Sequence, residues 1–237
     1  MTSPAGRGGD GLSKYRHELK IPINALDKAV LSSRLGAALA RDRHAGSDGT
    51  YTVRSIYFED YKDTALFEKL TGQLNREKFR IRTYGRGSDV IHLERKVKRG
   101  NLGFKDQARL SIDECRRLLE GEYRFLLERT EPVCQLLYTK MATGLFRPKT
   151  IVEYDREAYV WEPGRVRITI DSNIRGGLRS TDFLNYDLKL TPMVGEPLSV
   201  LEVKHNGYLP IHILNLIELR SREVSSVSKY ALGRRFG

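Results

Sequence analysis

The sequence predicts an α+β fold, in which a mainly antiparallel β-sheet closes or nearly closes into a barrel and helices sit at its periphery. Three observations predict it. Five stretches place charged side chains two residues apart: Arg16-Glu18-Lys20, Arg80-Arg82, Glu94-Lys96-Lys98, Arg165-Arg167 with Thr169 and Asp171, and Glu202-Lys204. In a strand this spacing puts the charges on one face and residues such as Leu19, Ile81, Leu93, Ile168 and Val203 on the other. The runs are joined by turn-rich junctions, Gly85-Arg86-Gly87-Ser88-Asp89 and Pro163-Gly164, that read as hairpins. Short helical segments are inserted between strands and do not alternate with them.

In chain order, a strand over residues 14–21 is ended by Pro22, and Asn24 with Asp27 caps a helix to about residue 40 whose Leu31 and Leu35 face the outside of the sheet. Residues 51–58 read as a strand and 61–70 as a short helix ending toward Gly72. A hairpin follows over 76–84 and 90–98. Residues 99–110 carry Gly100, Gly103, Lys105 and Arg109 without a clear period. Ser111 and Glu114 form a capping box for a helix to about 120, and further helices cover 122–128 and 132–141. A second hairpin spans 149–161 and 166–171, a strand covers 198–205, and a helix 211–218.

At 237 residues with 40% hydrophobic content the chain can bury a large core, and its formal charge of +11 favours nucleic acid, acidic lipid or a phosphate-rich small molecule. Cys115 and Cys134 lie in helix-like segments without metal-ligand spacing, which suits a reducing cytoplasm. No apolar run approaches the roughly 20 residues of a membrane span, and the N-terminus lacks a secretory h-region. Residues 1–12 are small and Gly-rich and read as a disordered tail; no strand precedes Gly6-Arg7-Gly8-Gly9-Asp10-Gly11, so the string is no phosphate loop.

If the barrel closes, the charged faces line a tunnel carrying Arg16, Lys20, Arg80, Arg82, Lys96, Lys98, Arg165 or Arg167, and Lys204. Arginine forks and mobile lysine ammoniums suit a chain of phosphates. Glu18, Glu94 and Glu202 face the same way. They either ligate a divalent metal that bridges phosphate oxygens or pair with neighbouring cations.

Several segments, in order, carry a family resemblance: Tyr15-Arg16-His17-Glu18-Leu19-Lys20, Val53-Arg54-Ser55-Ile56-Tyr57-Phe58-Glu59-Asp60, Arg76-Glu77-Lys78-Phe79-Arg80-Ile81-Arg82-Thr83-Tyr84, Leu93-Glu94-Arg95-Lys96, Arg165-Val166-Arg167-Ile168-Thr169-Ile170-Asp171, Leu201-Glu202-Val203-Lys204 and Ser228-Lys229-Tyr230. Over residues 14–232 the chain resembles the catalytic domain of the vacuolar transporter chaperone, the VTC domain, among the triphosphate tunnel metalloenzymes (CYTH-like). The resemblance implies an antiparallel tunnel barrel, residues 13–237 as a single domain, and transfer of the ATP γ-phosphoryl group to a growing inorganic polyphosphate chain with release of ADP. It implies Lys20, Arg80, Arg82, Lys96, Arg167 and Glu202 as catalytic residues, and Lys69, Lys98, Lys105, Arg109, Arg156, Lys204 and Lys229 as substrate-binding ones. Glu202 with Glu18 would hold Mn²⁺ or Mg²⁺. ATP and polyphosphate are then the partners, with no obligatory nucleic acid. Fungal members carry a further lysine about where Ser226 stands, and an SPX domain and membrane helices not found in this sequence.

A tunnel triphosphatase, acting on nucleoside triphosphate, thiamine triphosphate or tripolyphosphate, is the nearest alternative. Such hydrolases begin with a Glu-x-Glu-x-Lys strand, and Arg16 occupies the first of those positions. A non-catalytic polyphosphate- or RNA-binding module is the second alternative. His17 and His205 should face away from the charged side, and no histidine is assigned a catalytic role.

Overall fold

The computed structural model describes residues 17–46, 48–87, 90–100, 102–193, 198–219 and 227–235. The expectations for Arg16, Ser226 and the 1–12 tail lie outside them. Ten strands form one antiparallel sheet: β1 (His17–Ile23), β2 (Ala40–Arg41), β3 (Thr50–Glu59), β4 (Asn75–Tyr84), β5 (Ile91–Arg99), β6 (Leu102–Leu110), β7 (Arg147–Trp161), β8 (Val166–Gly176), β9 (Thr191–Pro192) and β10 (Ser199–His205). Their order is β1-β10-β8-β7-β3-β4-β5-β6, with β2 on β7 and β9 on β8. Among the described residues the backbone ladder is not closed, because β1 and β6 are edges. The sheet nevertheless curls on itself: Lys96 Nζ of β5 lies 2.7 Å from Glu18 Oε2 of β1.

The predicted elements recur with local differences. Pro22 does not end β1; it pairs opposite Val200. An edge strand tolerates a residue without an N–H donor. The unassigned stretch 99–110 is a strand, β6, in register with β5 from Leu102 to Leu110. A C-terminal helix that the Ser-rich sequence did not announce, α6 (Lys229–Arg235), closes the described chain.

The face opposite the charges is covered on two sides. Ile81 and Leu93 pack with Cys115 and Leu118 of α3 (Ile112–Glu120) and with Val133, Leu137 and Met141 of α4 (Pro132–Gly144). Ile168, Ile170, Leu201 and Val203 pack with Leu31 and Leu35 of α1 (Ala25–Ala38) and with Ile213 and Ile217 of α5 (Ile211–Ile217). Leu31 and Leu35 are fully buried, each contributing about 1.5–3 kcal/mol. Both predicted capping boxes are present: Asn24 accepts from Asp27 N, and Ser111 accepts from Glu114 N while the N3 carboxylates reach back. Ser111→Ala is expected to lower stability by about 1 kcal/mol, read by chemical denaturation.

The other face is divided. Val53, Val152, Ala158, Ile174 and Val200 form an apolar cluster with Ala65 of α2 (Thr64–Leu70) and Tyr230 of α6. Glu59, at the end of β3, ties these helices together. Its carboxylate accepts from Ala65 N at 3.0 Å and Leu66 N at 3.1 Å, replacing a side-chain cap that Asp63 does not supply, and Tyr230 Oη donates to it as well. In this way Lys69 on α2 and Lys229 on α6 are brought to the charged half of the concave face.

Candidate active site

The charged half is a cavity of about 470 Å³ lined by Lys20, Lys69, Arg76, Lys78, Arg80, Arg82, Lys96, Lys98, Arg156, Lys204 and Lys229, with Glu18 and Glu202 as the carboxylates. Tyr57, Tyr154 and Tyr230, with Val227 and Ser228, complete the wall. Period-two alternation accounts for most of this set: Arg76, Lys78, Arg80 and Arg82 point inward from β4, Lys96 and Lys98 from β5, Glu202 and Lys204 from β10, and Glu18 and Lys20 from β1.

At the centre, Arg156 of β7 forks onto Asp171 of β8, Nε to Oδ1 at 2.6 Å and Nη2 to Oδ2 at 2.8 Å. Lys229 bridges Asp171 at 2.6 Å and Glu202 at 2.7 Å. Lys20 lies 3.1 Å from Glu202, and Lys204 lies 3.5 Å from it. The carboxylates are held strongly ionised. Burial alone would raise the Glu202 carboxyl, but Lys20, Lys229 and Lys204 overcome it and hold it well below the usual range. Burial of Glu18 is outweighed in the same way by Lys20, Lys96 and Lys204, leaving it at about 2. Glu94, between Arg80 at 2.6 Å and Lys105 at 2.9 Å, is likewise depressed against its burial. All three carboxylates the sequence singled out thus have lysine or arginine partners.

The site placements differ in detail from the sequence expectation. Arg167 does not line the cavity: its guanidinium pairs with Asp42 at 2.7 Å and donates to Tyr51 Oη at 2.9 Å. Lys105 stands behind Glu94, and Arg109, opposite His92, offers its carbonyl oxygen to Arg129. His17 and His205 stack on each other at 5.2 Å, paired across the β1–β10 ladder. Asp171, noted only as part of a stripe, anchors both Arg156 and Lys229. Arg76 and Lys78 were missed as site residues, although they continue the Arg80-Arg82 spacing by two further steps. Tyr154, which accepts from Arg82 at 3.1 Å and from Arg156 at 3.3 Å, carried no sequence signal.

Lys78 and Lys96 are the costly cations. Burial, with Lys69 and Arg76 adding repulsion, brings the Lys78 ammonium down to about 7. Burial also brings Lys96 to about 8, although Glu18 opposes it. Unfolding restores both to the ordinary lysine range, so above about pH 7 the unfolded chain binds more protons and stability rises with pH. The ligand-free protein is expected to melt higher at pH 9 than at pH 7, followed by circular dichroism. The raised Lys20 and Lys229 lose their contribution only above the ordinary lysine range.

Among the described residues no three His, Cys, Asp or Glu side chains gather as a metal site. Glu18 and Glu202 nevertheless fit a divalent ion that takes its remaining ligands from phosphate and water. Lys20 Nζ stands between their Oε1 atoms, at 3.7 and 3.1 Å, and Glu18 Oε1 has no hydrogen-bond donor among the described residues.

The VTC domain family matches residues 15–236. A Hippeastrum protein, described as an adenylyl cyclase candidate with a dominant triphosphatase activity, superposes with a TM-score of 0.57 at 14% identity, covering 94% of this chain and 95% of that one. A Bacillus halodurans protein, described as an adenylate cyclase candidate, gives a TM-score of 0.45 at 16% identity, covering 86% of each chain. No curated protein matches the sequence. No helix among the described residues is long and apolar enough to cross a membrane.

Proposed function

The chain belongs to the VTC domain family, and from that membership we propose that it is a polyphosphate polymerase, moving the γ-phosphoryl group of ATP onto inorganic polyphosphate. The observation that carries this reading is the lining of the cavity: eleven lysines and arginines against two carboxylates. Such a surface attracts a polyanion and repels cationic ligands.

In the proposed reaction a terminal oxygen of the polyphosphate chain forms the new bond to the γ-phosphorus. The bond from that phosphorus to the β,γ-bridging oxygen breaks, and ADP leaves with the electron pair. The protein positions both reactants and stabilises charge, and no covalent phosphoenzyme is required. Arg82, Arg80 and Lys20 of the cavity wall would hold the equatorial oxygens, while Arg156 pairs with Asp171 and Lys229 with both Asp171 and Glu202. A divalent ion, Mn²⁺ or Mg²⁺, held by Glu202 and Glu18 would neutralise part of the phosphate charge. Acceptor choice follows from what is scarce: a water nucleophile wants a second metal or a free base, and both cavity carboxylates are engaged by lysines.

Hydrolysis of a triphosphate is the second reading, favoured by the fold shared with a protein described as a triphosphatase. Purified protein with ATP and Mn²⁺ separates the two. Long-chain polyphosphate together with ADP is the expected result. Phosphate release without chains would replace the reading by the triphosphatase, and polyphosphate binding without turnover would replace it by the binding module. The proposal places the protein in the cytoplasm, where ATP is supplied.

A further inference from the structure

Lys78 is set apart from its neighbours by what surrounds it. It lies on β4 with its side chain half-buried in the cavity wall. The charges that act on it most are Lys69 of α2, Arg76 of its own strand, Lys96 of β5 and Lys20 of β1, cations from four elements. No carboxylate pairs with it among the described residues. Its partners are neutral: Ser228 Oγ at 3.5 Å, the limit of a hydrogen bond, and the face of the Tyr230 ring of α6, 4.3 Å away. The Tyr230 hydroxyl donates to Glu59, so the ring brings no charge to this place. Lys20, Lys96 and Lys229, by contrast, each hold a carboxylate: Glu202 at 3.1 Å, Glu18 at 2.7 Å and Glu202 at 2.7 Å.

A lysine buried among cations and without a counter-ion is disfavoured as the ammonium and presents a free amine to the cavity. Burial, with repulsion from Lys69 and Arg76, brings Lys78 down to about 7. A desolvated lysine beside another cation is a nucleophile, by the same physics that activates lysines in covalent catalysis. The phosphoryl transfer described above has no use for one, because it requires no covalent phosphoenzyme.

We propose that Lys78 is a modification site, at which a small acyl phosphate drawn in by the cavity cations gives its acyl group to the side-chain amine. The Nζ lone pair attacks the carbonyl carbon, the bond from that carbon to the phosphate oxygen breaks, and inorganic phosphate leaves with the electron pair. The nitrogen loses a proton to water, and the product is an amide. No oxidant, metal or further co-reactant enters. Arg76, two residues along the same face of β4, and Lys69 of α2 are the neighbouring cations that would take the phosphate. The amide is uncharged, so acylation lowers the cavity's positive charge by one and weakens its attraction for any polyanion. Lys20 and Lys229 are outside the proposal, because Glu202 holds both as ammoniums.

The test incubates the whole protein with acetyl phosphate, or with the N-hydroxysuccinimide ester of acetic acid, which has no phosphate, and follows each lysine by mass spectrometry of its peptides. At pH 8 roughly nine-tenths of an amine near 7 is neutral, against under about 1% of a lysine of ordinary basicity. Weaker basicity offsets part of that gain, so Lys78 is expected to acetylate about tenfold faster than the exposed Lys62 with the ester, and with a larger excess when the reagent is acetyl phosphate. Its rate should level off by about pH 8.5, while lysines of ordinary basicity keep gaining about tenfold per pH unit. Tripolyphosphate should protect Lys78 and leave Lys62 exposed to reagent, and Lys78→Arg should remove that one label. Labelling of Lys78 no faster than that of Lys62 would overturn the proposal. Equal preference with the two reagents would overturn it as well, by showing a reactive amine that does not recognise acyl phosphate. Labelling needs no ATP turnover, so its outcome is independent of which reaction the cavity catalyses.

Discussion

Arg156→Met is expected to cost about 3–5 kcal/mol of folding stability and to abolish turnover, because it leaves a buried carboxylate short of charge. Asp171 is fully buried and receives both prongs of the Arg156 fork. With the fork gone, its close cation is Lys229, already shared with Glu202. The pair's own burial cost does not make it a net stabiliser over an apolar pair, so Arg156→Met with Asp171→Leu should recover part of the stability without recovering activity. Denaturant unfolding of the two single variants and the double variant reads the coupling. Independent, additive losses would show that the fork is not what holds the centre together.

Arg82→Ala is expected to behave in the opposite way, with turnover down about 10²-fold or more and stability changed far less. Of the central arginines Arg80, Arg82 and Arg156, Arg82 is the least committed to a carboxylate: its donors go to Ser55 Oγ and Tyr154 Oη, each at 3.1 Å, and Glu94 lies 3.9 Å away. Donors already held in place but not neutralised are those that gain most as charge develops on a transferring phosphoryl group. The matched control is Arg235→Ala on the exposed end of α6, which should leave both quantities unchanged. Equal effects of the two substitutions on ATP turnover would remove Arg82 from the site.

What could be read from the sequence was local or periodic. Asn24 with Asp27, and Ser111 with Glu114, reported helix starts because a capping box is complete within four residues. The period-two stripes assigned faces correctly for β4, β5, β8 and β10. β6 escaped because Asp106 interrupts its apolar alternation, a position explained only by Arg95 on the neighbouring strand at 3.2 Å. The centre of the site was legible as a list of cations but not as a circuit. Arg156, Asp171, Glu202 and Lys229 meet through strand order and through the docking of α6, and no spacing in the chain announces that Glu59 holds α6 against α2. Arg167 shows the converse: it has the correct alternation, yet it stands at a height along its strand where Asp42 and Tyr51 take it up.

Among the described residues β1 is an edge of the sheet, and that bears on self-association. An unpaired margin invites another strand to continue the ladder, and long flat edges aggregate for that reason. On β1 the margin is blunted three ways: Pro22 removes a donor, Glu18 and Lys20 place charge along it, and the Glu18 contact with Lys96 folds that margin toward its own sheet. The cavity residues Glu18 and Lys20 thus also guard against self-association, and substitutions that neutralise either carry a risk of precipitation unrelated to any loss of phosphate chemistry.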